Sequence, residues 1–164
     1  MIHPNQTCTQ LQNSMAEYGF LSLQTAKSIN TELEAKSAKK VFDWHNKTIL
    51  IAEDEEFNFL YLREILGPTK AVILRAMDGE MAVQICLSSS VDLVLMDIKM
   101  PRMNGLDATK NIRSFNLRIP VIAQTAFALI EDSEKCFAAG CTDYLTKPIS
   151  SESLLSMVDK YLEL

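Results

Sequence analysis

The sequence predicts a doubly wound α/β fold, a three-layer sandwich in which helices cover both faces of a five-stranded parallel sheet, and three observations predict it. Short apolar runs alternate with segments of helical spacing. The runs are apolar at successive positions, so each strand is covered on both faces, as in a parallel sheet. Caps, glycines and prolines separate the two kinds of segment.

Taken in order, the first strand is TILIA (48–52). A helix follows with Phe57, Leu60, Tyr61 and Ile65 on its apolar face, and Gly67-Pro68 stops it. AVIL (71–74) and DLVLM (92–96) are the second and third strands. Asn104 then caps a helix patterned by Leu106, Ala108 and Ile112. PVIAQ (120–124) is the fourth strand, and a helix over 130–139 ends at Gly140. TDYLT (142–146) is a weaker fifth strand, and Leu154, Leu155, Val158, Tyr161 and Leu162 mark the closing helix. The count is five strand–helix units, which places an active site at the carboxyl ends of the strands.

Composition narrows the function classes. The chain has 164 residues, is 48% apolar and carries a formal charge of −5, so no basic stripe exists to grip a phosphate backbone, and direct nucleic-acid binding is disfavoured. No run of eighteen apolar residues and no basic-then-apolar start is present, so no membrane segment or export signal is expected and the cytoplasm is the default compartment. Cys8, Cys86, Cys136 and Cys141 match no CxxC pair and read as reduced thiols filling apolar space. The Asn-x-Thr triplets at Asn5 and Asn46 read as chance matches.

Charge also divides the chain. Residues 1–46 hold four basic and four acidic side chains, whereas 47–164 hold twelve and seventeen together with every strong strand signal. Residues 1–46 are therefore expected to be a helical extension or linker. Ser14 and Glu17 suggest a capping box, Leu23, Ala26, Ile29 and Leu33 repeat at helical spacing, and Glu32 can pair with Lys36. The seam is short, so a linker helix is preferred to a homodimer interface. Val41, Phe42 and Trp44 are candidates to dock the extension onto the domain.

At the strand ends stand Glu53 and Asp54, then Asp97, Thr125, and Lys147 followed by Pro148. Three grouped carboxylates repel one another unless a hard cation compensates, and Mg²⁺, with Mn²⁺ as a substitute, suits Asp54, Asp97 and a backbone carbonyl just beyond Asp97. The remaining groups suit phosphoryl transfer. Asp97 is the candidate nucleophile, Lys147 the ammonium that neutralises phosphoryl oxygens, and Thr125 the hydroxyl that hydrogen-bonds them.

The segments LIAEDEEFN, LVLMDIKMPRMNG, IPVIAQTAFA and DYLTKP, in this order and spacing, resemble the receiver domain of two-component response regulators, most of all that of hybrid histidine kinases. The resemblance covers about residues 47–162. It implies a flavodoxin-like fold of strand order 2-1-3-4-5 and a phosphoacceptor signalling module, not a turnover enzyme. It further implies phosphorylation of Asp97 by a histidine kinase or histidine phosphotransfer protein, with Mg²⁺ held by Asp54, Asp97 and the Lys99 carbonyl and with Glu53 helping through water. Tyr144 is implied as an aromatic switch moving with Thr125, and the fourth helix, fifth strand and fifth helix, about residues 128–162, as the surface read by a downstream protein partner.

Singly, these residues have plain structural explanations as caps, core or surface groups; jointly, with the Pro-stiffened MPRMNG loop, they favour function. His3 and His45 lack the framework of a phosphate donor. The alternatives are an aspartate-nucleophile phosphohydrolase, disfavoured because Lys99 stands where a second Asp is needed, and a pseudo-receiver scaffold, disfavoured because no site residue is lost. Glu55 follows Asp54 where many hybrid receivers have Asn. The resemblance places Lys99 and Phe127 at the two positions credited with tuning hydrolysis, and neither is a water-positioning group, so a slowly hydrolysing acyl phosphate is expected.

Overall fold

The computed structural model describes residues 40–126 and 130–163. The helix expected in the extension, from its capping box at Ser14 and Glu17 through Lys36, and Phe127 lie outside them. Five strands, β1 (Thr48–Ala52), β2 (Val72–Ala76), β3 (Leu93–Asp97), β4 (Val121–Thr125) and β5 (Asp143–Thr146), alternate with five helices. The helices are α1 (Glu56–Leu66), α2 (Gly79–Ser88), α3 (Gly105–Phe115), α4 (Ile130–Ala138) and α5 (Ser151–Leu162). The strands pair in parallel in the order β2-β1-β3-β4-β5, the flavodoxin-like arrangement.

Alternation along each strand divides the interior in two. Ile49, Ile51, Leu93, Leu95, Ile122 and Leu145 face α1 and α5, where Leu62, Leu66, Leu154 and Val158 meet them. Leu50, Ala52, Val94, Met96, Val121 and Ala123 face the other way, beneath Ala82 of α2, Ala108 and Ile112 of α3 and Cys136 of α4. The side chains on this second face are shorter. Cys136 and Cys141 are buried here, and burial pushes the Cys141 thiol up to about 11, which suits a filler and not a reactive thiolate.

Three differences from the sequence reading have physical reasons. β2, β3, β4 and β5 each begin one residue later than the apolar run, and β3 and β4 also end one residue later. At β3 the entry residue Asp92 is occupied in a local clasp, its carboxylate accepting from the Thr48 N–H at 2.7 Å while its own N–H donates to the Thr48 carbonyl. The shift puts Asp97 and Thr125 inside the ladder, with Asp97 opposite Gln124. The buried face of α1 is Phe59, Leu62 and Leu66, whereas Phe57 and Tyr61 are exposed. Both patterns have helical spacing and each carries two aliphatic residues; Leu62 and Leu66 are covered by the core, each burial contributing about 2 kcal/mol, whereas Leu60 and Ile65 pack against it only partly buried. The second helix, counted from the alternation without named residues, is α2, whose N-cap Asp78 accepts from the Met81 N–H at 2.7 Å.

Side-chain caps also fix the starts of α3 and α5. The Asn104 side chain accepts from Asp107 N–H, and Ser150 from Ser153 N–H. At the amino end of the sheet, Trp44 is buried in the α1/α5 core, Phe42 packs against it, and the Trp44 N–H donates to the Thr69 carbonyl at 2.6 Å. Val41 is exposed. No helix among the described residues is long and apolar enough to cross a membrane.

Candidate functional site

The site begins where the hydrophobic strands run out of apolar residues but not out of burial. Ile49 to Ala52 and Leu93 to Met96 are fully buried, and the next residues of the two strands' paths are Glu53, at 0% exposure, and Asp97, at 7%. The Glu53 N–H donates to the Ala76 carbonyl at 3.0 Å, continuing the sheet one step past β1. Two acids are thereby held at adjacent strand tips by backbone hydrogen bonds, away from bulk water.

Lys147, just beyond β5, reaches them both. Its ammonium donates to Glu53 Oε2 at 2.7 Å and lies 3.0 Å from Asp97 Oδ2. The Lys147 N–H donates to the Thr125 carbonyl at 2.7 Å, fixing the base of the side chain, and the peptide to Pro148 is cis. The other oxygens are also engaged. Asn58 of α1 donates to Glu53 Oε1 at 3.1 Å, and the Lys99 N–H donates to Asp97 Oδ1 at 3.3 Å.

Electrostatics follow from this geometry. Burial, and then the Glu53 charge, push the Asp97 carboxyl above the ordinary range; the Lys147 ammonium and the Lys99 N–H recover only part of the shift. Burial opposes the Lys147 charge, but the Glu53 hydrogen bond and the Asp97 charge outweigh it and hold its pKa above the ordinary lysine value. One ammonium therefore serves more than one carboxylate. Ligand oxygens of Glu53, Asp54 and Asp97 lie within 4.8 Å of one another, an excess of negative charge on hard donors that fits a small divalent cation.

Of the residues predicted at the strand ends, Glu53, Asp54, Asp97 and Lys147 form this cluster. Thr125, the last residue of β4, is 5% exposed and lines a cavity of about 240 Å³ with Asp97, Lys99, Gln124 and Lys147. Tyr144 stands apart from that cavity's lining, half-buried against the α2/α3/α4 core and edge-on to Phe137, ring centroids 6.1 Å apart.

One neighbour escaped the sequence reading. Gln124 is fully buried, neither its amide oxygen nor its nitrogen has a hydrogen-bond partner, and it lines both this cavity and a second of about 430 Å³ formed with Asn58, Tyr61, Leu62, Lys147, Pro148 and Ile149. The available signal was an amide ending an otherwise apolar strand run.

Known proteins resemble this chain in sequence and in fold. The model of the response regulator receiver domain matches residues 49–159. The polar-differentiation response regulator DivK of Brucella anthropi is 36% identical, the match covering 71% of this chain and 96% of DivK. Histidine kinase 5 of Arabidopsis thaliana is 28% identical over 96% of this chain, which spans only 20% of that protein. Among solved structures, the receiver domain of a Pseudomonas aeruginosa sensor histidine kinase, with a magnesium ion coordinated in its active-site cleft, has a TM-score of 0.68 at 32% identity, covering 72% of this chain and 98% of that one. A Saccharomyces cerevisiae co-crystal of a histidine phosphotransfer signalling protein with the receiver domain of its downstream response regulator matches with a TM-score of 0.69 at 28% identity, over 75% of this chain and 91% of that one. Sheet order, acidic strand tips and bridging lysine thus meet a family model spanning most of the chain, which belongs to the response regulator receiver domains of two-component systems.

Proposed function

We propose that this chain is a phosphoacceptor module that takes a phosphoryl group onto Asp97 from a phosphohistidine of a histidine kinase or histidine phosphotransfer protein. The observation that carries the reading is the Lys147 ammonium lying 2.7 Å from Glu53 Oε2 and 3.0 Å from Asp97 Oδ2 beside a third carboxylate. A carboxylate oxygen of Asp97 forms the new P–O bond as the P–N bond to imidazole breaks, and the imidazole leaves with that electron pair. Lys147 stays beside the nucleophile and exchanges carboxylate contact for phosphoryl oxygens. Thr125, at the rim of the same cavity, donates its hydroxyl proton to one of them.

Asp54, Asp97 and the Lys99 carbonyl are the proposed Mg²⁺ ligands, with Glu53 acting through water. The ion, when bound, neutralises charge on the phosphoryl group. Tyr144 is proposed to turn inward as Thr125 moves, altering the surface of α4, β5 and α5 that a downstream protein reads. Residues 1–46 are read as the extension and 47–164 as the receiver. The yeast co-crystal complex supports a phosphotransfer protein as one partner class, and the plant relative supports a place within a hybrid kinase.

Incubating the chain with Mg²⁺ and acetyl phosphate, followed by intact mass, tests the reading. One phosphoryl adduct per chain, absent in Asp97→Asn and absent without Mg²⁺, is the expected result. Turnover of the donor with no adduct, or an adduct that persists in Asp97→Asn, overturns it.

A further inference from the structure

The loop after β3 is fastened at both ends, and its far fastening lies outside the acidic cluster. At the near end, the Ile98 N–H donates to the Gln124 carbonyl at 3.2 Å and the Ile98 carbonyl accepts from the Gly105 N–H at 3.0 Å. At the far end, the Arg102 guanidinium pairs with the Asp78 carboxylate, and the Met103 carbonyl accepts from the Gly79 N–H at 3.0 Å. Asp78 is 4% exposed and also caps α2, so its two oxygens serve two tasks, holding a helix start and a loop. A Cβ at Gly79 would collide with the Met103 carbonyl, so the two turns touch at backbone level.

Arg102 has a left-handed backbone, φ 61°, which disfavours any residue with a Cβ. Glycine would hold that conformation more easily, yet a long cationic side chain stands here and reaches a buried acid. Between the two fastenings lie Lys99, Met100 and Pro101, the last with its backbone stiffened by the ring.

We infer that Asp78 and Arg102 are positioning residues for the metal site, a latch that holds the Lys99 carbonyl in place from the neighbouring β2–α2 turn. The inference rests on the proposed reading of that carbonyl as a metal ligand. Groups that orient ligands are commonly worth tenfold or more in metal affinity. The latch therefore acts on how tightly the ion is held.

Arg102→Gly is the decisive variant, because it relieves the left-handed strain while removing the arm; Arg102→Lys keeps a cation. Mg²⁺ dissociation constants are measured on the full chain by calorimetry, with exchange of the Gly79 amide followed in metal-free protein. The expected result is about tenfold weaker Mg²⁺ binding in Arg102→Gly, faster Gly79 exchange, substantial recovery in Arg102→Lys, and an unchanged adduct yield at saturating Mg²⁺. Unchanged Mg²⁺ affinity in Arg102→Gly overturns the latch, whether or not melting temperature moves. Wild type that binds Mg²⁺ but forms no adduct overturns the phosphoacceptor reading and leaves the latch standing, so the two failures are distinguishable.

Discussion

The middle of the sheet and its carboxyl tip are built from opposite materials at the same depth. In the middle, β1 and β3 are aliphatic, fully buried and surrounded by Leu62, Leu66 and Leu154. One residue further, the same two strand paths carry Glu53 and Asp97, still nine-tenths buried or more, sharing a lysine and facing an amide with no partner. The first region earns its stability from apolar contact; the second is tolerated because the first holds it. The lesson is that depth of burial alone does not separate core from site, whereas unbalanced charge at constant depth does.

The largest expected effect lies in the middle. Leu95→Ala should cost about 3 to 4 kcal/mol in a denaturant titration, since a fully buried leucine leaves a void between β3 and the α1/α5 layer. A cost under 1 kcal/mol would show that the middle is not the stabilising region. Lys147→Met comes next. Leaving Glu53 and Asp97 without their cation should cost about 2 kcal/mol in chelator-treated protein and abolish the phosphoryl adduct. Because the folded pKa of Lys147 is raised from 10.5, its contribution is complete below that pH and is lost as pH rises through the higher folded value. With Asp97 ionised, the gap between wild type and Lys147→Met should close only in alkali, while in acid it narrows because Asp97 takes up a proton; a gap that closes near neutrality contradicts the geometry.

Asp97→Asn has the opposite sign. The Asp97 pKa is raised above 3.8 in the fold, so ionisation opposes folding, with the penalty appearing as pH rises past 3.8 and complete above the folded value. Metal-free Asp97→Asn should match wild type in acid and exceed it at neutral pH, read from paired melting curves across pH. A wild type that is the more stable at neutral pH would mean that Lys147 more than offsets the crowding. The smallest effect is expected from Gln124→Leu, which replaces two unpartnered polar atoms with methyls and should raise stability by up to ~1 kcal/mol. A loss would show that the amide is satisfied by water in solution.

The same contrast explains what was legible. Strand positions and the converging acids, hydroxyl and amine could be read because period and residue type carry them locally. The α1 face could not, because Phe57 with Tyr61 and Phe59 with Leu62 both repeat at helical spacing and only the sheet decides between them. The Asp78–Arg102 pair spans two loops, and nothing in either loop alone announces the other. Gln124 continues an apolar run and gains meaning only from its register opposite Asp97.

Trp44 has a practical consequence. It is the sole tryptophan of the chain and sits in apolar surroundings ahead of β1, while the acids follow that strand's far end, roughly 16 Å away at about 3.3 Å per strand residue. Its intrinsic fluorescence will therefore report melting of the domain and leave ion binding nearly silent, so a titration followed by that emission can look like failure to bind when the optical probe is simply at the wrong pole.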